Sequence, residues 1–314
     1  MSARPFVRHS RLPLFRPGDE SVIDGESSAE AFLRLACLNY GADHPSRRDQ
    51  ARAVIAGHPE IRGSNVFVAA AMGDAAALSG ILQKHPESAG ANGGPFGWEP
   101  LLYLAYSRCG FSDAWHDPVA SARLLLQHGA DPNAAFLWDG KCLFTALTGV
   151  FGEGEAGPVN QPAHSHEDSL ARMLLAAGAD PNDGQALYNR QFTRGSSHLR
   201  LLLDHGLGSA SRGPGHERLG GPRPSPEDLL RGQLFWAAEH GHSDRVELLA
   251  ARRVDLNAKD SFGRTASELA AINNHHDIVR SLERHGADPV SLSPAGQLEA
   301  ACQAGRRSEA QALL

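Results

Sequence analysis

The sequence predicts an all-α fold built from repeated units of about 33 residues. Two copies of one pattern lie between residues 233 and 289. Ala237 and Ala270 are 33 positions apart, and two further pairs in this stretch have the same spacing. Near the start of the chain, residues 29–40 place apolar side chains at helical spacing. A constant offset at separate places indicates a repeat, and each unit of a repeat array packs mainly on its neighbours.

These repeats resemble the ankyrin repeat family. The stretch 261–266 matches in part the opening D-x-x-G-x-T-P of an ankyrin unit, with Phe262 among the departures, and the runs at 129–133 and 178–182 match its Gly-Ala-Asp-Pro closing turn. The resemblance covers roughly residues 64–314. It implies an all-α ankyrin-repeat solenoid of about seven helix-turn-helix units. Degenerate units with large insertions between the helices resemble bacterial members of the family.

Composition excludes several other classes. A net charge of −6 gives no general attraction to nucleic acid or to an anionic membrane, and no apolar run approaches the about 18 residues of a membrane span. Cys37, Cys109, Cys142 and Cys302 are scattered, without a C-x-x-C pair, which argues against a disulfide framework or a zinc knuckle. We therefore expect a cytoplasmic monomer without a cofactor.

The first part of the chain leads into the repeats. Residues 1–28 are predicted to be a disordered basic tail, since they carry four arginines before the first acid at Asp19 and three prolines that oppose a helix. Residues 29–62 are predicted to form a helical capping unit. Such a unit is needed because the end of a repeat stack otherwise exposes an apolar face.

Residues 64–210 are predicted to form units one to four, with insertions between the paired helices at about 108–117 and 151–168. The second insertion is rich in glycine and proline and is interpreted as a flexible loop. After the first insertion, the Asp117–Pro118 pair should start a helix, with Asp as N-cap and Pro in the first turn. After the second, Asp168 should cap the returning helix.

The last part of the chain begins with a predicted flexible insertion at 211–225. Residues 226–314 are predicted to form units five to seven, of which the last is incomplete. The Ser225–Pro226 pair is a good helix start, and Thr265 with Glu268 has the spacing of a capping box.

No residue pattern points strongly to catalysis, and we expect that the chain is not an enzyme. His164, His166, Glu167 and Asp168 lie close together as potential metal ligands, but we interpret them as loop polarity and a helix cap. No nucleophile motif or phosphate loop is present. Four histidines recur just before the closing turns, where a positive charge suits a helix C-terminus: His85, His128, His205 and His285.

The aromatic residues are the candidate partner-binding site. They cluster in turns and insertions of neighbouring units: Phe96, Trp98, Phe111, Trp115, Phe136 and Trp138. The turn residues Lys259, Asp260 and Arg264 form a second candidate patch. Two interpretations stay open for the aromatic cluster, because exposed aromatics are favoured interface anchors, whereas the same rings could pack under the insertions as a local core.

Two hypotheses of function follow. In the first, the chain is a non-catalytic protein–protein interaction module that binds a protein partner through its inter-unit turns and inserted loops. In the second, it is the regulatory or targeting region of an enzyme or effector whose catalytic domain is not in this chain. The fold does not decide between them.

Overall fold

A computed structural model describes residues 25–209, 224–252 and 254–314. Residues 25–193 form one compact unit, and the described residues from 194 onward form a second. The division falls between the two helices of the predicted fourth repeat. Residues 1–24 of the predicted tail and residues 211–223 of the predicted flexible insertion lie outside the described residues.

Paired helices form both compact units. In the first unit they are α1 (Ser28–Ala36), α2 (Pro45–Gly57), α3 (Val66–Met72), α4 (Ala75–Lys84), α5 (Pro100–Tyr106), α6 (Pro118–Gln127), α7 (Ala146–Phe151), α8 (Gly157–Asn160), α9 (Glu167–Ala176) and α10 (Gly184–Gln191). In the second they are α11 (Ser197–Asp204), α12 (Pro226–Glu239), α13 (Ser243–Ala250), α14 (Ala266–Ile272), α15 (His276–Arg284), α16 (Pro294–Gln303) and α17 (Arg307–Ala312).

The helices pack in two rows within each compact unit. In the first unit, α1, α3, α5, α7 and α10 pack on one another in order, and α4, α6 and α9 form the second row. In the second unit, α12, α14 and α16 form one row, and α13 packs on α15. This is the pattern of stacked two-helix repeats, and it confirms the predicted all-α repeat fold.

Side-chain caps fix where the helices begin. The Asp117 carboxylate accepts the Ala120 N–H at 2.8 Å, with Pro118 in the first turn of α6. Thr265 and Glu268 form the predicted capping box at the start of α14. These groups satisfy backbone N–H donors that have no partner inside the helix.

The expected cap of α9 is different. That helix begins at Glu167, and its N-cap is His166 without a side-chain cap bond. Asp168 therefore lies in the first turn, where its carboxylate pairs with Arg172 at 2.8 Å instead. The prediction that Asp168 is the cap is wrong by two residues, but the acid still lies near the positive end of the helix.

A β-hairpin interrupts the helical pattern before α7. Strands β1 (Ala135–Trp138) and β2 (Cys142–Thr145) pair antiparallel, with Phe136 opposite Phe144. Asp139 and Gly140 between them both have positive φ, at 49° and 68°. The Lys141 N–H donates to the Trp138 carbonyl at 3.0 Å, so the Asp-Gly pair occupies the two central positions of a tight turn. The whole connection has three residues, because Trp138 pairs with Cys142. The Asp-Gly pair is thus a hairpin signal in the sequence, although the repeat pattern predicts only helices in this region.

The asparagine of the closing turn links consecutive repeats. Asn133 accepts the Asp180 N–H at 2.8 Å and donates to the Gly178 carbonyl at 2.8 Å. Asn257 accepts the Asp288 N–H at 2.9 Å in the same way. The same side chain thus bonds the next turn in both compact units, which gives the recurring Asp-x-Asn pattern a structural role.

The recurring histidines cap helix C-termini, as expected from their position. The Nδ1 atoms of His128, His205 and His285 lie 2.9 Å from the carbonyl oxygens of Leu124, Leu201 and Ser281. Because a carbonyl only accepts, Nδ1 carries the proton in each ring. His85 differs, since its Nδ1 faces the Glu87 carboxylate at 3.4 Å.

Candidate functional site

The six aromatic candidates separate into a buried group and a half-buried group. Phe96, Trp98 and Phe136 are 4%, 1% and 1% exposed. The half-buried group consists of Phe111, Trp115 and Trp138. The two groups lie in different environments and cannot have the same role.

The buried group is a continuous stack of rings. The Trp98 ring centroid lies 4.5 Å from that of Phe96 and 4.4 Å from that of Phe136. Phe136 continues the stack to Phe144 on β2 at 5.5 Å. As partner-binding residues, Phe96, Trp98 and Phe136 are therefore corrected to a local core. The physical reason is the hairpin, which places Phe136 against Trp98 and Phe144 against Phe136 and removes these rings from water.

A tyrosine hydroxyl fixes the turn that carries this stack. Tyr103 on α5 donates to the Gly93 carbonyl at 2.8 Å and accepts the Phe96 N–H at 3.1 Å. Its ring also lies 5.4 Å from that of Trp98. Both backbone groups are therefore satisfied while the turn is buried.

Phe111 and Trp115 lie in the insertion between α5 and α6. Their ring centroids are 5.1 Å apart, and the Arg62 guanidinium carbon lies 4.1 Å from the centre of the Trp115 ring. Arg62 also pairs with Asp74, which is buried, at 2.6 Å. The cation–π contact holds the insertion and leaves part of both rings accessible.

Trp138 ends β1 and is half-buried. Its Nε1 donates to the Asn39 carbonyl at 3.2 Å, and its ring lies 6.3 Å from that of Phe144. The polar end of the side chain is thus used within the fold, which limits what this ring can offer to a partner.

The second candidate patch is a turn organised by one carboxylate. Asp260 accepts the N–H groups of Phe262 at 2.8 Å and of Arg264 at 2.9 Å, and its other oxygen contacts the Arg264 guanidinium at 3.0 Å. Burial alone would raise the pKa of Asp260, but the bonds from these backbone and guanidinium groups lower it. Lys259 is exposed, and Asp260 and Arg264 are half-buried.

The aromatic residue of this turn, Phe262, is not among the candidates predicted from the sequence. Phe262 is 80% exposed, and its ring lies 5.1 Å from the Arg264 guanidinium carbon. It stands at a position where it departs from the family's opening pattern. That departure was visible in the sequence and was the signal that could have identified it.

The second insertion is packed rather than flexible. Glu153 is buried and pairs with Arg190 at 3.1 Å, and its N–H donates to the Gln161 carbonyl at 2.6 Å. His164 is 6% exposed, and its Nδ1 accepts the His166 N–H at 3.0 Å. The interpretation of this segment as a flexible loop is therefore wrong, because it contains a helix, α8, and buried polar contacts.

Reactive groups are not activated at this place. Burial, followed by the charge of Arg108, holds the pKa of His164 well below its ordinary value. Burial likewise raises the pKa of the Cys109 thiol to about 12, so this cysteine is not a thiolate nucleophile at neutral pH. Within residues 25–209, 224–252 and 254–314, no three His, Cys, Asp or Glu side chains are grouped to hold a metal ion.

In the described part of the chain, no helix combines the length and the apolar character that a bilayer span requires.

The comparisons with known proteins give a family match near the end of the chain and several relatives that match over part of their length. A family model described as ankyrin repeats (3 copies) matches residues 231–314. Ankyrin repeat domain-containing protein 29 of Danio rerio is 40% identical over 63 residues, which is 20% of this chain and 21% of that protein. Palmitoyltransferase akr1 of Schizosaccharomyces pombe is 41% identical over 71 residues, 22% of this chain and 11% of that protein. The ARF GTPase-activating protein Git of Drosophila melanogaster is 41% identical over 56 residues, 18% of this chain and 8% of that protein.

The chain thus spans about a fifth or less of the length of these curated relatives. A crystal structure of the human ASB11 ankyrin repeat domain is 18% identical, covers 79% of this chain and 95% of that chain, and has a TM-score of 0.46. At that score the likeness does not establish how the repeats are arranged. The family match places ankyrin repeats at residues 231–314, and the stacked helix pairs and linked closing turns of the first compact unit follow the same pattern.

Proposed function

We propose that this chain is a non-catalytic protein-interaction module and that the turn at 259–264 is its principal contact with a protein partner. Ankyrin repeats are protein–protein interaction modules. The observation that carries the proposal is the 80% exposure of Phe262 on a turn that Asp260 holds in place.

The turn combines two properties that favour binding. A large aromatic ring loses much apolar surface to water when a partner covers it, and such rings are frequent anchors of interfaces. The hydrogen bonds of Asp260 fix the backbone on both sides of Phe262 before any partner arrives, so less conformational entropy is lost on binding. Lys259 is exposed in the same turn and adds a positive charge, since Arg264 is already paired with Asp260; this charge favours a partner surface that carries carboxylates.

The half-buried rings in the first compact unit are proposed as a second contact. Phe111 and Trp115 keep part of their surface accessible, and Trp138 presents part of its ring. Their contribution should be smaller, because the Arg62 contact and the Asn39 bond already use much of these side chains. A cytoplasmic location and a monomeric state stay predictions.

A second candidate function is the regulatory or targeting region of an enzyme or effector. One of the relatives is named as an enzyme, a palmitoyltransferase, and another as a GTPase-activating protein; the matching segments make up 11% and 8% of their length. Segments of this kind therefore occur within larger proteins of both kinds. Reading the gene beyond codon 314 separates the two functions, since a long downstream domain would favour the second and a stop codon the first.

The binding proposal is tested by quantitative affinity capture with the full chain. Wild type is compared with Phe262→Ala and with Phe192→Ala, a matched loss of a phenylalanine that is 38% exposed and lies in the other compact unit. We expect a protein that wild type and Phe192→Ala capture equally and that Phe262→Ala loses. Equal capture by wild type and both variants would contradict the proposal, and loss with a further variant, Trp115→Ala, but not with Phe262→Ala would move the contact to the half-buried rings of the first compact unit.

A further inference from the structure

A cavity of about 250 Å³ lies in the first compact unit between α2 and the two insertions. Arg48 and Arg52 of α2 line one side of it, and Ser107, Arg108 and His164 line the other. Neither insertion is needed to build an ankyrin helix pair, so the cavity is a feature of this chain rather than of its repeats. The volume would hold about eight water molecules at their share of liquid volume.

The lining of the cavity is one-sided in charge. It contains three guanidinium groups, and among the described residues that line it none is acidic. Arg52 pairs with Asp49 at 2.8 Å, but both side chains are largely exposed, and such pairs are weak in water. This concentration of positive charge lies in a protein with a net charge of −6.

Two of the lining side chains have hydrogen-bond donors without an acceptor. Ser107 is 5% exposed, and its Oγ has no partner among the described residues. Arg48 donates through Nη2 to the Val159 carbonyl at 3.2 Å. Its other terminal nitrogen, Nη1, is buried and has no hydrogen-bond partner among the residues that the structure describes. Buried polar groups without partners are rare, and each needs an explanation.

His164 adds a third donor of fixed orientation. Its Nδ1 accepts the backbone N–H of His166, so the neutral ring must carry its proton on Nε2. No hydrogen bond of this Nε2 to another described residue is present, and the residue is 6% exposed. The ring is thus a neutral donor at the cavity wall and needs no protonation to act as one.

Arg108 supplies charge rather than free donors. Its guanidinium donates to the carbonyl oxygens of Ala105, Ser107, Gly149 and Pro162 at 2.5–2.9 Å. Among the described residues it forms no ion pair at contact distance, and Asp43, the nearby carboxylate that acts on its charge, is already paired with Arg47 at 2.8 Å. Carbonyl dipoles satisfy its N–H groups but leave the net charge, which favours an anion nearby.

We infer that this cavity is a binding site for a phosphate group carried by a small molecule or present as free phosphate. A tetrahedral oxyanion has enough oxygens to accept from Arg48, Ser107 and His164 together. The guanidinium fork suits phosphate geometry. Water could satisfy the three donors, but it would not compensate the charge of the guanidinium groups.

Titration of the purified full chain with sodium phosphate, followed by calorimetry at constant ionic strength, tests this inference. We expect saturable binding that Ser107→Ala weakens by at least about tenfold, since a bond between a hydroxyl and a charged oxygen is lost. Ser107→Ala should not disturb folding, because the Oγ atom has no protein acceptor to leave behind. Arg48→Met should weaken binding further, and Arg172→Met, which removes an exposed arginine of α9, should leave it unchanged.

Two more probes identify the source and the chemistry. Glycerol phosphate that binds more tightly than inorganic phosphate would indicate a small phosphate ester, and equal affinities would indicate free phosphate; both support the site. Acetate that binds as tightly as phosphate would overturn the assignment to phosphate. Absence of saturable binding of either phosphate probe, or equal affinities of wild type, Ser107→Ala and Arg48→Met, would overturn the site itself.

Discussion

Two turns of this protein carry the same Phe-Gly pair and place it in opposite environments. Phe96 is 4% exposed and Phe262 is 80% exposed. In both turns the following glycine has positive φ, 65° at Gly97 and 79° at Gly263, and its N–H donates to the carbonyl three residues earlier, at 3.1 and 3.0 Å. The two turns therefore share this tight bend, although they are closed by different bonds, from Gly93 N–H to the Trp98 carbonyl and from Asp260 N–H to the Arg264 carbonyl. The shared bend does not decide burial.

Neighbouring elements decide it instead. The first turn is covered by Tyr103 and by the hairpin ring Phe136, which stacks on Trp98. The second turn is held by the carboxylate of Asp260 from within, and its aromatic ring remains in water. The comparison teaches that an aromatic residue in a turn between repeats is buried where another element returns over it and stays exposed where none does.

The largest effect is expected from Trp98→Ala. Truncating a fully buried aromatic side chain removes apolar burial and leaves a cavity, at a cost of about 3–5 kcal/mol. Urea-induced unfolding followed by circular dichroism measures it. Trp115→Ala is the matched control and should cost only about 1–2 kcal/mol, the range of a partly desolvated cation–π contact. Equal costs would mean that the stack around Trp98 is not a core.

Replacing a glycine by alanine should destabilise the buried turn more than the exposed turn. Gly94 and Gly263 both have left-handed φ, so alanine should cost about 1–2 kcal/mol at either position. At Gly94 the new Cβ would also lie 2.5 Å from the Tyr103 hydroxyl, which adds about 1–3 kcal/mol, whereas at Gly263 no atom lies within 4 Å. The measurement is the urea midpoint of each variant. A larger loss at Gly263 would contradict the assigned environments.

Acid should weaken the first compact unit through His164. The pKa of His164 is lowered by burial, so below its ordinary value of 6.5 the unfolded chain takes up a proton that the folded one refuses. Stability should therefore fall as the pH drops below about 6.5 and stop falling below the folded pKa. His164→Asn keeps an acceptor for the His166 N–H and should flatten this dependence in thermal unfolding. An unchanged pH profile would mean that the insertion does not bury the ring in solution.

The smallest stability effect is expected from Phe262→Ala. The ring is exposed and contacts the Arg264 guanidinium carbon at 5.1 Å, a contact that is worth about 0.5–1 kcal/mol in water, so the free energy of unfolding should change by about 1 kcal/mol or less. The same variant should lose the protein partner, so that binding and stability separate at this position. A loss of more than about 1 kcal/mol would show that the ring packs within the fold, as Phe96 does.

The sequence predicted the parts of the structure that local chemistry controls. The capping box at Thr265, the cap at Asp117 and the histidine C-caps depend on residues within a few positions of each other, and the repeat is recognised because one local pattern recurs 33 positions later. The burial of Trp98 depends on Phe136, which lies 38 positions later and reaches it only through the hairpin. Single-sequence patterns hold no information on that pairing beyond the Asp-Gly signal of the hairpin turn.

The candidate site could be predicted only in part, because burial and exposure also depend on elements that are distant in the sequence. Phe262 is exposed because no described element packs over its turn. In the sequence, only the unusual residue type at this position indicates a special role. Arg108 was not singled out, because its role depends on four carbonyl groups from separate segments. Long-range placement, rather than residue type, separates exposed aromatic residues from core residues in the described part of this chain.

Site-specific photo-crosslinking tests the central claim most directly. A photoreactive azidophenylalanine replaces Phe262 in one variant and Phe192, which is 38% exposed, in another, and both full chains are irradiated in the cells that express them. The account predicts one covalent protein adduct from position 262 and none of the same mass from position 192. No adduct from 262, or the same adduct from both positions, would contradict the assignment of the exposed turn as the partner contact.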